Sequence, residues 1–256
     1  MVTTVTRVTH SCVLLDFDGR HVLTDPWFSE KPGYRRGEPL ACTPTELPAL
    51  TAVIASHDHY DHFDVDTFAA YPDKAVPFIV KRGMGAKARK AGFTNVSEVE
   101  PWEDTVVDGI RITAAPAQHG VPEITYVLQS AGTTVFFGAD TLRIPELDEL
   151  RTRFGHLDLA LVPINGLSIK PAFNRRVVMN AEEAARLCGV LRPGIAVPIH
   201  YAFTAGRLRD TLFLGYDGTP ERFRSAAAEH APGTTVHVLA PGEPLTLPTR
   251  SGLASS

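Results

Sequence analysis

The sequence predicts an α/β fold, in which buried strands alternate with amphipathic helices. First, runs of small and β-branched residues, such as residues 51–55 and 195–199, are typical of buried strands. Second, helix starts are well marked, as at Asn180, where Glu183 follows three residues later in a capping box. Third, 44% hydrophobic and 21% charged residues in a 256-residue chain are ordinary for a soluble globular protein.

The first part of the chain is predicted to consist mainly of strands. Residues 2–8 and 13–17 form two of them, Asp18-Gly19 favours a tight hairpin turn, and residues 21–24 return. Residues 29–48 are rich in proline, glycine and charge and lack periodicity, which predicts a long loop that serves as a lid or binding loop. Asp64 is expected to cap a short helix.

The remaining elements follow from the same signals. Strands are predicted near residues 76–80, 96–99, 105–107, 110–115, 124–129, 133–137, 157–164, 195–199 and 235–239, and helices near 84–91, 146–154, 180–192 and 220–230. We expect one domain over residues 1–247 and a disordered tail over residues 248–256.

Charge and composition narrow the class of partner. The net charge of −4 and the isoelectric point of about 6.2 provide no basic field for nucleic acid. No apolar stretch approaches a membrane span, and the N-terminus lacks the apolar core of a secretory signal. Cys12, Cys42 and Cys188 are scattered, which indicates reduced thiols. We therefore expect a cytoplasmic protein with a small-molecule substrate, without a nucleic-acid partner or membrane association; a homo-oligomer stays open.

The densest chemistry lies in Ser56-His57-Asp58-His59-Tyr60-Asp61-His62, directly after the apolar run 51–55. Side chains alternate along a strand, so His57 and His59 can point the same way and hold one metal. Asp61 and His62 follow the turn and aim at a second position. The alternative is a polar loop with histidines close together by chance, but this density of imidazole and carboxylate favours a metal site.

The motif His57-x-His59-x-Asp61-His62 at a strand end resembles the signature of the metallo-β-lactamase superfamily. The resemblance implies a four-layer αβ/βα sandwich with a dinuclear metal site at its edge. It also implies a histidine after a later strand, an aspartate that ends another, and a last histidine late in the chain. His119, Asp140 and His200 follow the predicted strands 110–115, 133–137 and 195–199 and occupy these places.

The resemblance assigns a role to each of these side chains. It implies one metal on His57, His59 and His119, a second on Asp61, His62 and His200, and Asp140 between the two; Asp61, Asp140 and His200 are also the implied catalytic residues. A nitrogen and oxygen donor set without thiolate suits zinc, and also manganese or iron. We therefore expect two divalent transition metals, zinc first, that supply hydroxide at neutral pH.

Two residues outside the motif are candidates for supporting the ligands. Asp25 ends the strand 21–24, where its carboxylate could hydrogen-bond a metal-binding histidine; the alternative is a turn aspartate before proline. His10 lies in a bend and could approach the site, although a single loop histidine is more often structural or exposed.

Within the superfamily, the chain is most similar to the L-ascorbate-6-phosphate lactonase-like branch. The resemblance rests on Leu23-Thr24-Asp25-Pro26, Val162-Pro163-Ile164-Asn165-Gly166, Met179-Asn180-Ala181-Glu182-Glu183-Ala184 and Pro198-Ile199-His200-Tyr201. It implies a metal-dependent hydrolase of a small ester, lactone or phosphate-bearing compound.

Substrate contacts are predicted from position alone. Lys170, Arg175 and Arg176, in a loop near two ligand-bearing strands, suggest an anionic substrate, and Tyr201 is a candidate for the pocket wall. Ordinary solvated charge is the alternative for the three cations. A phosphodiesterase or nuclease is the second hypothesis, which the acidic balance disfavours. A di-iron redox protein, as in members of the superfamily that partner flavins, is the third hypothesis. It ranks behind the other two because no flavodoxin-like domain is expected from the sequence.

Overall fold

The computed structural model describes residues 2–130 and 132–248. In chain order the strands are β1 (Thr3–Thr9), β2 (Cys12–Phe17), β3 (His21–Thr24), β4 (Arg35–Arg36), β5 (Leu50–Ala55), β6 (Phe78–Lys81), β7 (Val96–Val99), β8 (Asp104–Val107), β9 (Ile110–Pro116), β10 (Ile124–Ser130), β11 (Thr133–Phe137), β12 (Leu159–Pro163), β13 (Ser168–Ile169), β14 (Arg175–Arg176), β15 (Ile195–Ile199), β16 (Phe203–Thr204), β17 (Leu214–Gly215), β18 (Thr235–Val236) and β19 (Pro244–Thr246). The helices are α1 (Val65–Phe68), α2 (Gly85–Lys90), α3 (Pro145–Asp148), α4 (Leu150–Phe154), α5 (Ala181–Leu191), α6 (Arg207–Phe213) and α7 (Pro220–His230).

Two seven-stranded sheets face each other at the centre. One has the order β19-β1-β2-β3-β5-β6-β7 and the other β18-β15-β12-β11-β10-β9-β8. Period-two alternation assigns each side chain to a face: Leu159 and Leu161 of β12 lie in the core between the sheets, whereas Ala160 and Val162 face the helices. Tyr126 of β10 also joins the sheets, because its hydroxyl donates to the carbonyl of Ala55 at 2.9 Å.

Helices cover the outer face of each sheet. Helices α5 and α7 pack on the second sheet through a cluster that includes Leu187, Leu191 and Phe223. Helices α1 and α2 cover the first sheet through Phe68 and Ala88, with Phe63 beside them. The predicted four-layer αβ/βα sandwich is therefore confirmed.

Several local predictions are also confirmed, and others need correction. Helix α5 begins after Asn180 with both hydrogen bonds of the capping box, and Asp64 caps α1. The helix predicted over residues 146–154 is two short helices, α3 and α4. Where they meet, the backbone nitrogen of Glu149 donates to the carbonyl of Glu146, three residues earlier. The strand predicted over residues 235–239 is limited to Thr235–Val236, and α6 and β19 were not predicted.

Some expectations stay untested. The disordered tail predicted over residues 248–256 lies, apart from Pro248, outside the described residues. The single domain over residues 1–247 stays a prediction. Within the described ranges, none of the helices has the length and apolar character required to cross a membrane.

Candidate metal centre

The ends of several strands deliver polar side chains to one edge of the sandwich. β5 leads into His57, β9 ends three residues before His119, β11 leads to Asp140, and β15 is followed directly by His200. β5 pairs in parallel with β3, and β11, β12 and β15 are parallel to one another. Carboxyl ends of parallel strands meet at one edge, which explains why residues far apart in sequence converge here.

Three histidines form the first group. His57 Nε2 lies 2.9 Å from His59 Nδ1, and His119 Nε2 lies 3.3 Å from the same atom. Two imidazole nitrogens on one tetrahedral zinc, each at 2.0–2.1 Å, would stand about 3.3 Å apart. The three nitrogens are therefore spaced as ligands of one cation.

Hydrogen bonds orient these rings. His119 Nδ1 donates to the carbonyl of Val177 at 2.7 Å, which leaves Nε2 free to accept a metal. Ser56 Oγ donates to Asp25 at 2.7 Å and lies 2.9 Å from His57 Nδ1, so this hydroxyl accepts from the imidazole. Such outer partners fix the tautomer that a metal ligand requires.

A second group contains His10, Asp61, His62 and His200, whose ligand atoms lie within 4.8 Å of one another. Asp140 stands between the groups: its Oδ2 is 2.8 Å from His200 Nε2, 3.2 Å from His62 Nε2 and 4.0 Å from His119 Nε2. All seven residues that the sequence nominated as ligands are thus brought together.

The charges at this edge are those of a cation site. Burial raises the pKa of Asp140, but His200 and His62 outweigh it and hold that pKa well below its usual range. Burial also opposes ionisation of Asp61, and His62 with His10 reverses the effect, so the pKa of Asp61 is lowered. One oxygen on each carboxylate, Oδ1, is buried without a hydrogen-bond partner. Buried ionised oxygens without donors fit a pair of bound metal ions.

Asp25 and Glu123 contact candidate ligands through hydrogen bonds without belonging to either group. Asp25 Oδ2 accepts from His62 Nδ1 at 2.7 Å. Glu123, which the sequence reasoning missed, accepts from the backbone nitrogen of Asp140 at 2.7 Å and lies 3.4 Å from His57 Nδ1. Burial and the nearby Asp140 raise the pKa of Glu123 well above its usual value. A glutamate directly before the apolar strand β10 was the available signal.

His10 lies inside the site rather than at the surface. Its ring is 4.1 Å from that of His200, and Nε2 lies 3.4 Å from Asp61 Oδ2. Neither ring nitrogen has a hydrogen-bond partner among the described residues. Burial, followed by the charge of His200, lowers the pKa of His10 to about 3, so the ring is neutral. A neutral, unpartnered imidazole at this position can serve the second group as a further donor.

The backbone around the site is strained. His10, Asp25, Ala139 and His200 all have positive φ, at 48°, 34°, 45° and 54°. Side chains with a Cβ rarely adopt this region, and such outliers cluster at functional sites. The strain turns the chain sharply where strands end, which aims the side chains of Asp25 and His200 at the cluster.

A cavity of about 390 Å³ opens over the candidate metal ligands. Its floor includes His59, Asp61, His119, Asp140 and His200. Tyr34, from the long loop 29–48, and Arg209, from α6, also line the cavity, together with apolar side chains. A cavity of this size is typical of small-molecule sites.

The substrate contacts expected from position require correction. Lys170 Nζ donates to the carbonyls of Asp210 and Thr211 near the end of α6, and Arg176 pairs with Glu183 and Asp217. Arg175 is exposed on β14.

Tyr201 is likewise engaged elsewhere. Its hydroxyl accepts a hydrogen bond from Arg7, and its ring packs beside the outer helical cluster. None of these four side chains lines the cavity. Arg209 supplies the cation there; it lies in a helix that the sequence reasoning did not predict.

Comparison with known proteins agrees with this arrangement. The family model described as "Beta-lactamase superfamily domain" matches residues 20–201. An uncharacterized protein of Mycobacterium tuberculosis is 32% identical over 216 residues, and the match spans 75% of this chain but 56% of that protein. A UPF0173 metal-dependent hydrolase of Nitratidesulfovibrio vulgaris is 29% identical, and the match covers 96% of each protein.

Solved structures share the fold at lower identity. Igni18, a metallo hydrolase from Ignicoccus hospitalis, has a TM-score of 0.72 and 20% identity, with coverage of 98% of this chain and 100% of that one. An isothiocyanate hydrolase from Delia radicum gut bacteria also has a TM-score of 0.72 and 20% identity, with coverage of 94% and 98%. The di-iron β-hydroxylase CmlA of Streptomyces venezuelae has a TM-score of 0.72 and 17% identity, with coverage of 96% and 54%.

Proposed function

The chain belongs to the metallo-β-lactamase superfamily, and from that membership we propose that it is a metal-dependent hydrolase of a small ester or lactone. The observation that carries the proposal is the convergence of seven nitrogen and oxygen donor side chains at one edge of the sandwich, where five of them line one cavity. The name of the Nitratidesulfovibrio relative, a metal-dependent hydrolase matched over nearly its full length, supports it.

The metal pair is proposed from the donor set. His57, His59 and His119 would hold one divalent ion and Asp61, His62 and His200 the other, with Asp140 shared. Imidazole and carboxylate ligands suit zinc, and manganese or iron fit the same set. The free state of Cys12, Cys42 and Cys188 supports a cytoplasmic, reducing location.

The proposed reaction is a hydrolysis. Bound divalent metals supply Lewis acidity, which makes water a nucleophile near neutral pH and stabilises negative charge on a carbonyl oxygen. The oxygen of water bonds to the carbonyl carbon and the carbon–oxygen bond to the alcohol breaks; of the two protons of water, one goes to the alcohol oxygen and the other to solvent. The products are a carboxylate and an alcohol, which remain one molecule when the substrate is a lactone.

The protein's own side chains position this chemistry. Asp61 is ionised, and its free oxygen can accept a hydrogen bond from the attacking water. Tyr34 lines the cavity, and burial followed by the charge of Asp61 raises its pKa, so the phenol keeps its proton. We assign Tyr34 as a hydrogen-bond donor to the substrate's reacting oxygen.

An ester or lactone is favoured over a phosphodiester because cationic side chains are scarce. Among the described residues, Arg209 is the one arginine or lysine that lines the cavity. One guanidinium can pair with a single anionic group on the substrate but not with a polynucleotide backbone. Membership of the L-ascorbate-6-phosphate lactonase-like branch is likewise proposed, on the sequence motifs that suggested it.

The test measures metal content and hydrolysis together. We expect about two transition-metal ions per purified chain, and activity on p-nitrophenyl esters and lactones above that on bis(p-nitrophenyl) phosphate. His59→Ala should lose both metal and activity. Preference for the phosphodiester would favour the nuclease alternative, and a stoichiometric iron pair without hydrolysis would favour a redox protein. Folded protein that binds no metal after reconstitution would refute the proposal.

A further inference from the structure

The lining of the cavity has two chemically distinct parts. Polar ligand atoms occupy the floor, whereas the walls are formed by Val121, Ile169, Val177, Phe203, Phe213 and Leu214. The apolar wall begins beside the metal-binding side chains, because the carbonyl of Val177 accepts the hydrogen bond from His119 Nδ1. A group attached to a carbonyl at the floor would therefore enter apolar surroundings at once.

Arg209, the one arginine or lysine that lines the cavity among the described residues, packs against the long loop 29–48. Its guanidinium fills the space above Gly33: a Cβ there would stand 2.0 Å from Arg209 Nη1. Nη1 also lies 3.5 Å from the carbonyl of Pro32. The cation thus joins α6 to the long loop 29–48, and the six apolar wall side chains carry no charge.

Apolar surface continues from the cavity to the exterior. Phe213 lines the cavity and keeps 49% of its surface exposed, and the neighbouring Leu212 is 54% exposed. Large exposed apolar side chains beside a cleft mark a surface that binds an apolar partner. The wall side chains and this exposed rim together provide apolar surface from the cavity to the exterior.

We propose that the natural substrate carries a hydrocarbon chain on its hydrolysed carbonyl: an acyl ester, or a lactone with an alkyl branch. The chain would lie along Val177, Ile169 and Phe213, with its carbonyl at the polar floor. This inference rests on the proposed function and specifies its substrate class. A cavity of about 390 Å³ holds a chain of moderate length, and Phe213 lets a longer one extend outward.

The proposal predicts a dependence of affinity on chain length. Each methylene transferred from water to an apolar wall tightens binding about fourfold at most. Straight-chain alkanoates, the carboxylate products of acyl esters, isolate this effect because all of them present the same carboxylate to the floor. The affinity should rise from butyrate to octanoate and then level off where the chain leaves the cavity.

The experiment is calorimetric titration of the metal-loaded protein with alkanoates of four to twelve carbons. We expect Phe213→Ala to weaken octanoate binding about fivefold and to leave butyrate binding unchanged. Ile169→Ala provides a second wall variant in case the first does not fold. Leu208→Ala is the matched control: it lies on the same helix, is 72% exposed and does not line the cavity.

Equal affinities for all chain lengths would overturn the inference, as would equal losses in Phe213→Ala and Leu208→Ala. Binding needs no turnover, so the result is separable from the proposed function. A clear dependence on length without hydrolysis of any acyl ester would keep the binding site and refute the enzyme. Hydrolysis of acetyl esters without dependence on length would keep the enzyme and refute the acyl chain.

Discussion

Asp25 accepts a hydrogen bond of 2.7 Å from His62 Nδ1, although both side chains are fully buried and come from different strand ends. The same carboxylate accepts from the backbone nitrogen and the hydroxyl of Ser56. It thereby joins the first sheet's edge to both groups of candidate ligands, since the Ser56 hydroxyl in turn contacts His57. One carboxylate sets the orientation of two imidazoles.

Asp25→Asn should lower metal affinity about 10- to 100-fold without unfolding the protein. The amide has one acceptor oxygen in place of two, so it cannot satisfy His62 together with both the hydroxyl and the backbone nitrogen of Ser56. Competition with a chelator measures the affinity, and Ser56→Ala, which keeps the contact between Asp25 and His62, should have a smaller effect. Equal affinities in Asp25→Asn and the unchanged protein would contradict this role.

Two aspartates of the same motif should behave differently. Asp61 is buried against His62 and His10, whereas the side chain of Asp58 is 58% exposed and pairs with Lys87. We expect Asp61→Asn to reduce the metal content from about two ions per chain to about one, because a carboxylate ligand is lost. Asp58→Asn should keep both ions, since an exposed ion pair contributes little. Loss of metal in both variants would indicate a general folding defect.

Histidine burial should make the metal-free protein sensitive to acid. The pKa of His10 falls from 6.5 to about 3 on folding, so the unfolded chain binds a proton that the folded chain does not. Stability is therefore lost as the pH falls below 6.5, by about 1.4 kcal/mol per pH unit for each such group. As the pH falls from 6.5 to 5, the free energy of unfolding of His10→Asn should therefore rise by about 2 kcal/mol relative to that of the unchanged chain. Urea unfolding of the chelated proteins at each pH measures this. If the free energies of unfolding of the two proteins changed equally with pH, the prediction would be wrong.

Tyr34→Phe should lower kcat about 100-fold and change KM little, because a donor to the reacting oxygen acts mainly in the transition state. Tyr60→Phe is the matched control. Tyr60 packs against Tyr34 at 5.6 Å between ring centroids, but its hydroxyl bonds to Ser29 and it does not line the cavity. Steady-state kinetics on the best ester or lactone decide the matter; similar losses in both variants would mean that packing, not donation, is responsible.

Arg7→Met should lower the free energy of unfolding by about 3 kcal/mol. The Arg7 side chain is fully buried and donates to Glu38, to Tyr201 and to the carbonyl of Leu239. Its removal leaves a mostly buried carboxylate without its cation. Urea unfolding of the double variant Arg7→Met/Glu38→Gln should show less than the sum of the two single losses, whereas additive losses would argue against a coupled pair.

The sequence predicts the candidate site well where the signal is local. The ligand motif occupies six consecutive residues, and His119, Asp140 and His200 each follow a recognisable strand. Parallel strands then bring these ends together without further information. The capping box of α5 is equally local, since Asn180 and Glu183 satisfy each other's backbone.

Prediction fails where the partner is distant. Nothing near Arg7 indicates that its charge is buried, because Glu38 and Tyr201 lie 31 and 194 positions away. Lys170 was placed near the substrate because it is close in sequence to ligand-bearing strands. Its actual partners are carbonyls of α6, a helix that the sequence did not indicate, and Arg209, the cation of that helix that lines the cavity, was missed with it.

Positive φ at His10, Asp25, Ala139 and His200 carries a cost of about 1 kcal/mol or more at each position. Selection for heat resistance and selection for retention of the site therefore act in opposite directions at these four positions. Glycine or asparagine would relieve the positive φ at these positions and so favour heat resistance. At His10, Asp25 and His200, however, the substitution would remove a side chain that belongs to the site or supports it. The same four residues limit how far the protein can be stabilised by consensus design while its chemistry is kept.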